Sequence, residues 1–244
     1  MSITLVLFVI VLFFARTGFM WAMEKWAHSA AAQRTIIYQK PISHEQEQRE
    51  NRSWPIIFAS QSMGTAFYAW LGWIHFAEWN WWAIPIILVA HIVIVEPLYY
   101  AYHLLLHTSW LYKHHHVYHH LSIITEPRTS VSFTILEGLS YFFLFSIPPL
   151  VASLFGTLSL PLVFIYFIVF DFANYIGHMN FEFFPKWYKN SILKWVFYTP
   201  TFHSQHHKHF TQNYCLFMPI WDKLFNNVGK ETDKIFTESL ARKD

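Results

Sequence analysis

The chain is poor in the residues from which many metal and redox sites are built, and poor in charge. Its 244 residues include one cysteine, Cys215, so no intrachain disulfide and no cysteine-based zinc or iron–sulfur site can form. Seven glycines hold no Gly-x-Gly-x-x-Gly, and with it goes any nicotinamide or flavin fingerprint. Charged residues make up 13% of the chain, against roughly 25% in soluble domains. The formal charge of +2 is too small to suggest a nucleic acid partner. No Glu is followed by His three residues later, which removes the Glu-x-x-His spacing of carboxylate-bridged bundle proteins, and no His-Glu-x-x-His occurs. Internal repeats, low-complexity tracts and flexible linkers are absent as well.

What is abundant is apolar and aromatic. Hydrophobic residues reach 54%, with 12 Trp and 13 Tyr suited to interfacial belts. Five segments, near 3–22, 55–77, 82–102, 139–156 and 160–177, approach the roughly 20 residues that span a hydrocarbon core. The first has no basic leader and no convincing cleavage site, so it reads as a retained span, although Arg16 weakens it. The expectation is an all-α, polytopic membrane protein of four to five transmembrane helices, forming a single domain over 1–244. The connections 24–54 and 103–138 and the tail 178–244 hold 16 of the 17 Lys and Arg, and the hairpin tips near Asn80 and Gly156–Thr157 hold none. The positive-inside rule places those basic segments on the cytoplasmic side, with 103–138 and 178–244 forming a helical cap there. The expected membrane is the bacterial inner membrane or that of the endoplasmic reticulum. The run "SHEQEQRENRSW" reads as a solvated loop or helix at the surface.

Sixteen histidines stand against the one cysteine. In "YYAYHLLLHTSW", His103 and His107 lie at i, i+4. In "HHHVYHH", His116, His119 and His120 lie at i, i+3, i+4, and His203, His206 and His207 repeat that spacing in "FHSQHHKHF". His178 ends the last span in "DFANYIGHMNFE". Residues three and four apart are neighbours on a helix, so each set can aim its imidazoles at a common point. Nine imidazoles exceed the needs of one transition metal ion and suit two, iron or zinc. His28, His44, His75 and His91 read as ordinary histidines; His114 and His115 are either ligands or exposed neighbours, with the later triplet preferred, and His209 either supports a ligand or is exposed. Two acids stand within spans, Glu96 seven residues before His103 and Asp171 seven before His178. Each is a candidate to accept the imidazole N–H that does not face metal, on its own helix or on another.

The strings "HLLLH", "HVYHH" and "HSQHH" resemble the three histidine boxes of the fatty acid hydroxylase/sterol desaturase superfamily of membrane di-iron enzymes. "VEPLYYAYHLLLH", "LYKHHHVYHHLSIITEPRTSV", "DFANYIGHMNFEFFPK" and "YTPTFHSQHHKHFTQNYCLFMPIWD" are similar to the hydroxylase-like domain of plant alkane-forming aldehyde decarbonylases of wax synthesis, from about Arg34 to about Leu240. The resemblance implies a cytoplasmic cap, two irons held by His103, His107, His116, His119, His120, His178, His203, His206 and His207, and O2 as co-substrate. Three differences bear on the reaction. Leu104 stands where the plant enzymes carry Arg, and Phe133 and Gly138 stand where they carry His, around a retained Glu137 that joins the candidate acids. The plant enzymes also continue into a large C-terminal domain without counterpart in these residues.

The function this implies is an O2-dependent oxidoreductase of lipid biosynthesis acting on a long-chain fatty aldehyde or fatty acyl chain. A sterol or other lipid hydroxylase or desaturase is the alternative, and a non-catalytic metal-binding subunit is a further one. A metal transporter fits less well, because the histidines gather at one surface and not at mid-membrane. A membrane lipid is the substrate, and electrons come from a separate carrier such as cytochrome b5, a ferredoxin or a reductase. An oligomer is compatible with all of this, and zinc can occupy the site in a purified sample.

Overall fold

The computed structural model describes residues 3–74, 76–77 and 81–242. His75 and the hairpin tip at Asn80 lie outside the described residues. The architecture is all-α, with one short parallel pairing of Phe76–Ala77 with Leu158–Ser159. Four helical stretches are long and apolar enough to cross a membrane: Ile3–Ala27, Ala83–Leu106, Ile135–Ser153 and Leu160–Gly177. Their outward side chains include Ile3, Leu7, Val89, Val93, Phe143 and Val169, all exposed. An apolar surface of that kind suits lipid, not water.

The segment expected to span at 55–77 belongs to a longer helix, His44–Trp70, that ends before Gly72 turns the chain. This helix carries Gln61, Ser62 and Thr65 on its buried side and falls short of the hydropathy of a span. It nevertheless runs the length of the bundle. Gln46 at its start donates to the Ile124 carbonyl beside the histidines, and just past its end the Trp73 carbonyl accepts from Ser153. The run "SHEQEQRENRSW", expected to be solvated, forms its first turns. Ser43 caps them through the Gln46 N–H, and Glu50 is fully buried. Packing against the 122–131 loop overrides its polarity.

Two local devices place the histidines. Between Ala83–Ala90 and Glu96–Leu106 the helix widens into a π-helical turn, His91–Val95. Pro97 follows at once, and a proline has no N–H to donate and crowds the preceding turn. A second π-turn, Tyr112–His116, leads into Val117–His120. The Pro200–His209 helix is started by the Thr199 side chain, which accepts from Phe202 N–H, and stopped by Phe210 in the left-handed region at φ 50°. At the end of Leu160–Gly177, a Cβ on Gly177 would run into the Tyr198 ring, so glycine lets the Pro200–His209 segment approach next to His178.

Arg16, which weakened the first span as a sequence, is buried to 2% exposure. Its Nε reaches Asp171 Oδ2 at 2.6 Å, and one terminal nitrogen reaches Asp171 Oδ1 and Gln61 Oε1, each at 2.8 Å. The guanidinium carbon lies 4.2 Å from the centroid of the Phe58 ring. This fork ties three helices together inside the apolar layer. Removing one partner leaves an uncompensated buried charge, which costs about 3–5 kcal/mol. Arg16→Met should therefore lower the melting temperature in detergent sharply, and Arg16→Met with Asp171→Leu should regain most of the loss. An additive double variant would contradict the pairing.

Candidate metal centre

Nine histidines expected to act together divide into two buried groups. His103, His107, His116, His120 and His206 form one, and His119, His178, His203 and His207 the other. Within each group the ligating nitrogens lie within 4.8 Å of one another. The division follows from helix geometry. Successive residues on an α-helix point about 100° apart, so adjacent histidines cannot serve one ion. In each triplet the i, i+4 pair enters one group and the i+3 residue enters the other. His116 and His120 join the five while His119 joins the four, and His203 and His207 join the four while His206 joins the five. The triplets therefore interlock, each feeding both groups.

The hydrogen bonds of the rings determine where their protons sit. His103 Nδ1 lies 2.7 Å from the Tyr214 carbonyl, His206 Nδ1 2.7 Å from that of Gln212, His178 Nδ1 2.9 Å from that of Asn174 and His207 Nδ1 2.9 Å from that of Ser122. A carbonyl oxygen only accepts, so each of these Nδ1 atoms carries the proton and donates it. Each Nε2 is then a bare lone pair. Yet His103 Nε2 and His206 Nε2 stand 3.1 Å apart. His116 Nε2 stands 3.0 Å from the Nε2 of both His103 and His120, and His203 Nε2 3.1 Å from that of His178. Lone pairs in that relation repel unless a cation lies between them. Two nitrogens each about 2.1 Å from one ion and at right angles are about 3.0 Å apart, as found here. His107 Nε2 and His207 Nε2 are buried without a hydrogen-bond partner. The donor set fits two transition metal ions, for which imidazole is a suitable ligand.

Protons cannot take the place of those cations near neutral pH. Burial first, and then the neighbouring imidazoles, pull the His116, His119, His120, His203, His206 and His207 rings far below the ordinary histidine range. Burial lowers His178 to about 4 and His107 to about 2. The rings are neutral, which is the metal-binding form.

Of the three acids singled out in the sequence, Glu137 alone touches this set among the described residues. Its Oε1 accepts from His116 Nδ1 at 2.6 Å. Glu96 instead accepts from the backbone N–H groups of Phe217 and Met218 and lies 3.5 Å from His91. Asp171 is taken by Arg16. The reason is distance: seven residues along a helix is about 10 Å, too far for either acid to reach the histidine on its own helix. The backbone carbonyls that orient the rings were not legible in the sequence. Nor were the buried acids behind them. Asp222 accepts from Tyr214 and Cys215 N–H at 2.7 and 2.8 Å, and Glu50 accepts from Ser122 and Thr129 hydroxyls at 2.7 Å each. Asp222 is an acid amid apolar residues, a signal too common to single it out, and Glu50 is hidden in a run of polar residues. His28, His44, His114 and His209 are exposed and belong to neither group.

His119 and His178 line a crevice walled by Tyr99, Phe133, Tyr141, Phe145 and Phe170, with Arg16 and Asp171 on its lining too. Its free space is about 20 Å³, enough for about one water. A longer guest enters only if the aromatic walls turn aside.

These features define a helical, membrane-type protein with two histidine-only groups, each of which could hold a metal ion. The fatty acid hydroxylase family profile matches residues 88–227, which contain all nine histidines. The chain is 41% identical over 221 residues to the protein CER1-like 1 of Arabidopsis thaliana, covering 87% of this chain and 35% of that protein. It is 37% identical over 228 residues to very-long-chain aldehyde decarbonylase GL1-5 of Oryza sativa subsp. indica, covering 92% and 36%. Over 232 residues it is 37% identical to very-long-chain aldehyde decarbonylase CER1 of Arabidopsis thaliana, with the same coverage of 92% and 36%. The chain belongs to the fatty acid hydroxylase family. It spans about a third of the length of these curated relatives. No solved structure matches it.

The depressed histidines make a pH dependence calculable in sign. A ring that is neutral when folded but has the ordinary value of 6.5 when unfolded binds more protons unfolded, so folding stability is complete above pH 6.5 and falls with pH below it. Metal-free protein should lose thermal stability progressively from pH 6.5 to about 4, the value of His178. Melting curves in detergent across that range provide the check. A flat profile would show that the rings are not buried neutral.

Proposed function

We propose that the chain is a membrane-bound, non-haem di-iron oxidoreductase that uses O2 on a long-chain fatty aldehyde or fatty acyl substrate. The observation that carries this reading is the pair of interlocked histidine groups whose bare Nε2 atoms converge beside an aromatic crevice. Reduced irons held there supply O2 reduction coupled to oxidation of a nearby carbon. The remaining tasks fall to the chain. Nine neutral imidazoles hold the ions without protons to displace, backbone carbonyls keep the His103, His178, His206 and His207 rings aimed while Glu137 aims that of His116, and the aromatic crevice excludes water and accepts an apolar chain from the bilayer. The names of the plant relatives support a fatty aldehyde over other lipids. Phe133 bears on the reaction, because its ring packs 4.8 Å from that of His119 and walls the crevice.

Electrons come from a separate carrier, since no dinucleotide fingerprint is present. The histidine-bearing end carries the Lys- and Arg-rich segments 24–54, 103–138 and 178–244, which supports a cytoplasmic placement and a surface for an acidic donor such as cytochrome b5 or a ferredoxin.

Mass spectrometry of lipids from aerated, iron-supplied cells expressing the chain with an electron donor tests the reading, beside a His116→Ala, His206→Ala control. Hydrocarbons one carbon shorter than the host's fatty aldehydes, absent from the control, are expected. Lipids that gain one oxygen would reassign the chain to hydroxylation. Identical profiles would overturn the enzymatic reading in favour of a silent metal-binding subunit.

A further inference from the structure

The two histidine groups differ in three respects. The first is donor number, five against four. Two helical i, i+4 pairs, His103 with His107 and His116 with His120, supply four of the five, whereas the smaller group has the single pair His203 and His207. Each such pair is held in place by one stretch of backbone before any ion arrives.

The second difference is charge. His116 turns its Nε2 toward His103 and His120, so its Nδ1 carries the proton and donates it to Glu137 at 2.6 Å, with both side chains fully buried. A carboxylate in that position makes the ring a stronger electron donor and offsets part of the ion's charge in a buried site. In the four-histidine group the ring Nδ1–H groups donate to neutral carbonyls, that of Asn174 for His178 and that of Ser122 for His207. Among the described residues no carboxylate pairs with that group.

The third is access. His119 and His178, both of the smaller group, line the aromatic crevice, and no member of the larger group does.

We infer that the two halves of the centre divide their labour: the five-histidine group, backed by Glu137, takes its ion first and holds it more tightly, and the four-histidine group holds the ion that faces the substrate. The inference deepens the proposed function and rests on it for the nature of the substrate. Glu137 is in this scheme a positioning and tuning residue of one metal only.

Titration of the full metal-free chain in detergent with Co²⁺, followed by its visible absorption, tests the division without turnover. Wild type should fill in two steps. Glu137→Gln, which keeps the shape and removes the charge, should weaken the tighter step about 10–100-fold and leave the other unchanged. His178→Ala should abolish the weaker step and leave the tighter one. Octadecanal added after the first equivalent should leave the spectrum unaltered, and after the second should shift it. A single affinity for both equivalents would overturn the inference, as would loss of the tighter step in His178→Ala or a spectral response to octadecanal at one equivalent. Should Glu137→Gln fail to give a monodisperse protein, the His178→Ala titration alone decides. Absence of lipid products in cells would end the oxidoreductase reading yet leave the order of filling intact, and products accompanied by one-step filling would do the reverse.

Discussion

Neutral imidazoles whose Nε2 atoms face one another across about 3 Å, those of His103, His116, His120 and His206 in one group and of His178 and His203 in the other, are the constraint to which the rest of the molecule answers. Held that way without a cation, the rings repel. What resists the repulsion is the set of Nδ1 hydrogen bonds, from His103 to Tyr214, His206 to Gln212, His178 to Asn174 and His207 to Ser122. The accepting carbonyls of Tyr214 and Ser122 lie in stretches that are themselves pinned. Asp222 and Glu96 grip the backbone N–H groups from Tyr214 to Met218, and Glu50 grips Ser122. The chain thus holds its two histidine groups in an arrangement that could receive a metal ion each.

The apolar layer contributes rigidity. The Arg16–Asp171–Gln61 fork joins Ile3–Ala27, His44–Trp70 and Leu160–Gly177 where lipid lies outside and no water competes for the charges. Asp171 shares its helix with the residues leading to His178, so the fork also limits how far that histidine can drift. The π-turns act in the same direction. By accommodating Pro97 and re-phasing the helix before Glu96–Leu106, the turn at His91–Val95 sets the direction in which His103 emerges.

Much of the site could be read directly from spacing. The i, i+3, i+4 triplets and the His103, His107 pair identified all nine histidines that the structure gathers, because helical neighbours are fixed by local geometry alone. The same spacing did not reveal the division into five and four, which depends on how two helices face each other. Polar residues in apolar surroundings were the hardest to place. Arg16 looked like a flaw in a span and proved to be the partner of Asp171, 155 residues away. Glu50 looked solvated and is buried. Glu96 and Asp171 were candidates to support a histidine on their own or another helix, yet they hold the Phe217 and Met218 backbone and Arg16 instead.

The sequence by itself determined the all-α membrane class, the choice of imidazole over thiolate and carboxylate as metal ligand, and the identity of the histidines. These follow from composition and from contacts within one helix, where the separation of residues in the chain is also their separation in space. The tertiary structure alone decided which histidine joins which group, which atoms orient the rings, which acid stands behind one group and which group meets the crevice. Apart from the short reaches from His178 to Asn174 and from His206 to Gln212, these are contacts between segments tens to more than a hundred residues apart, and only packing brings such segments together.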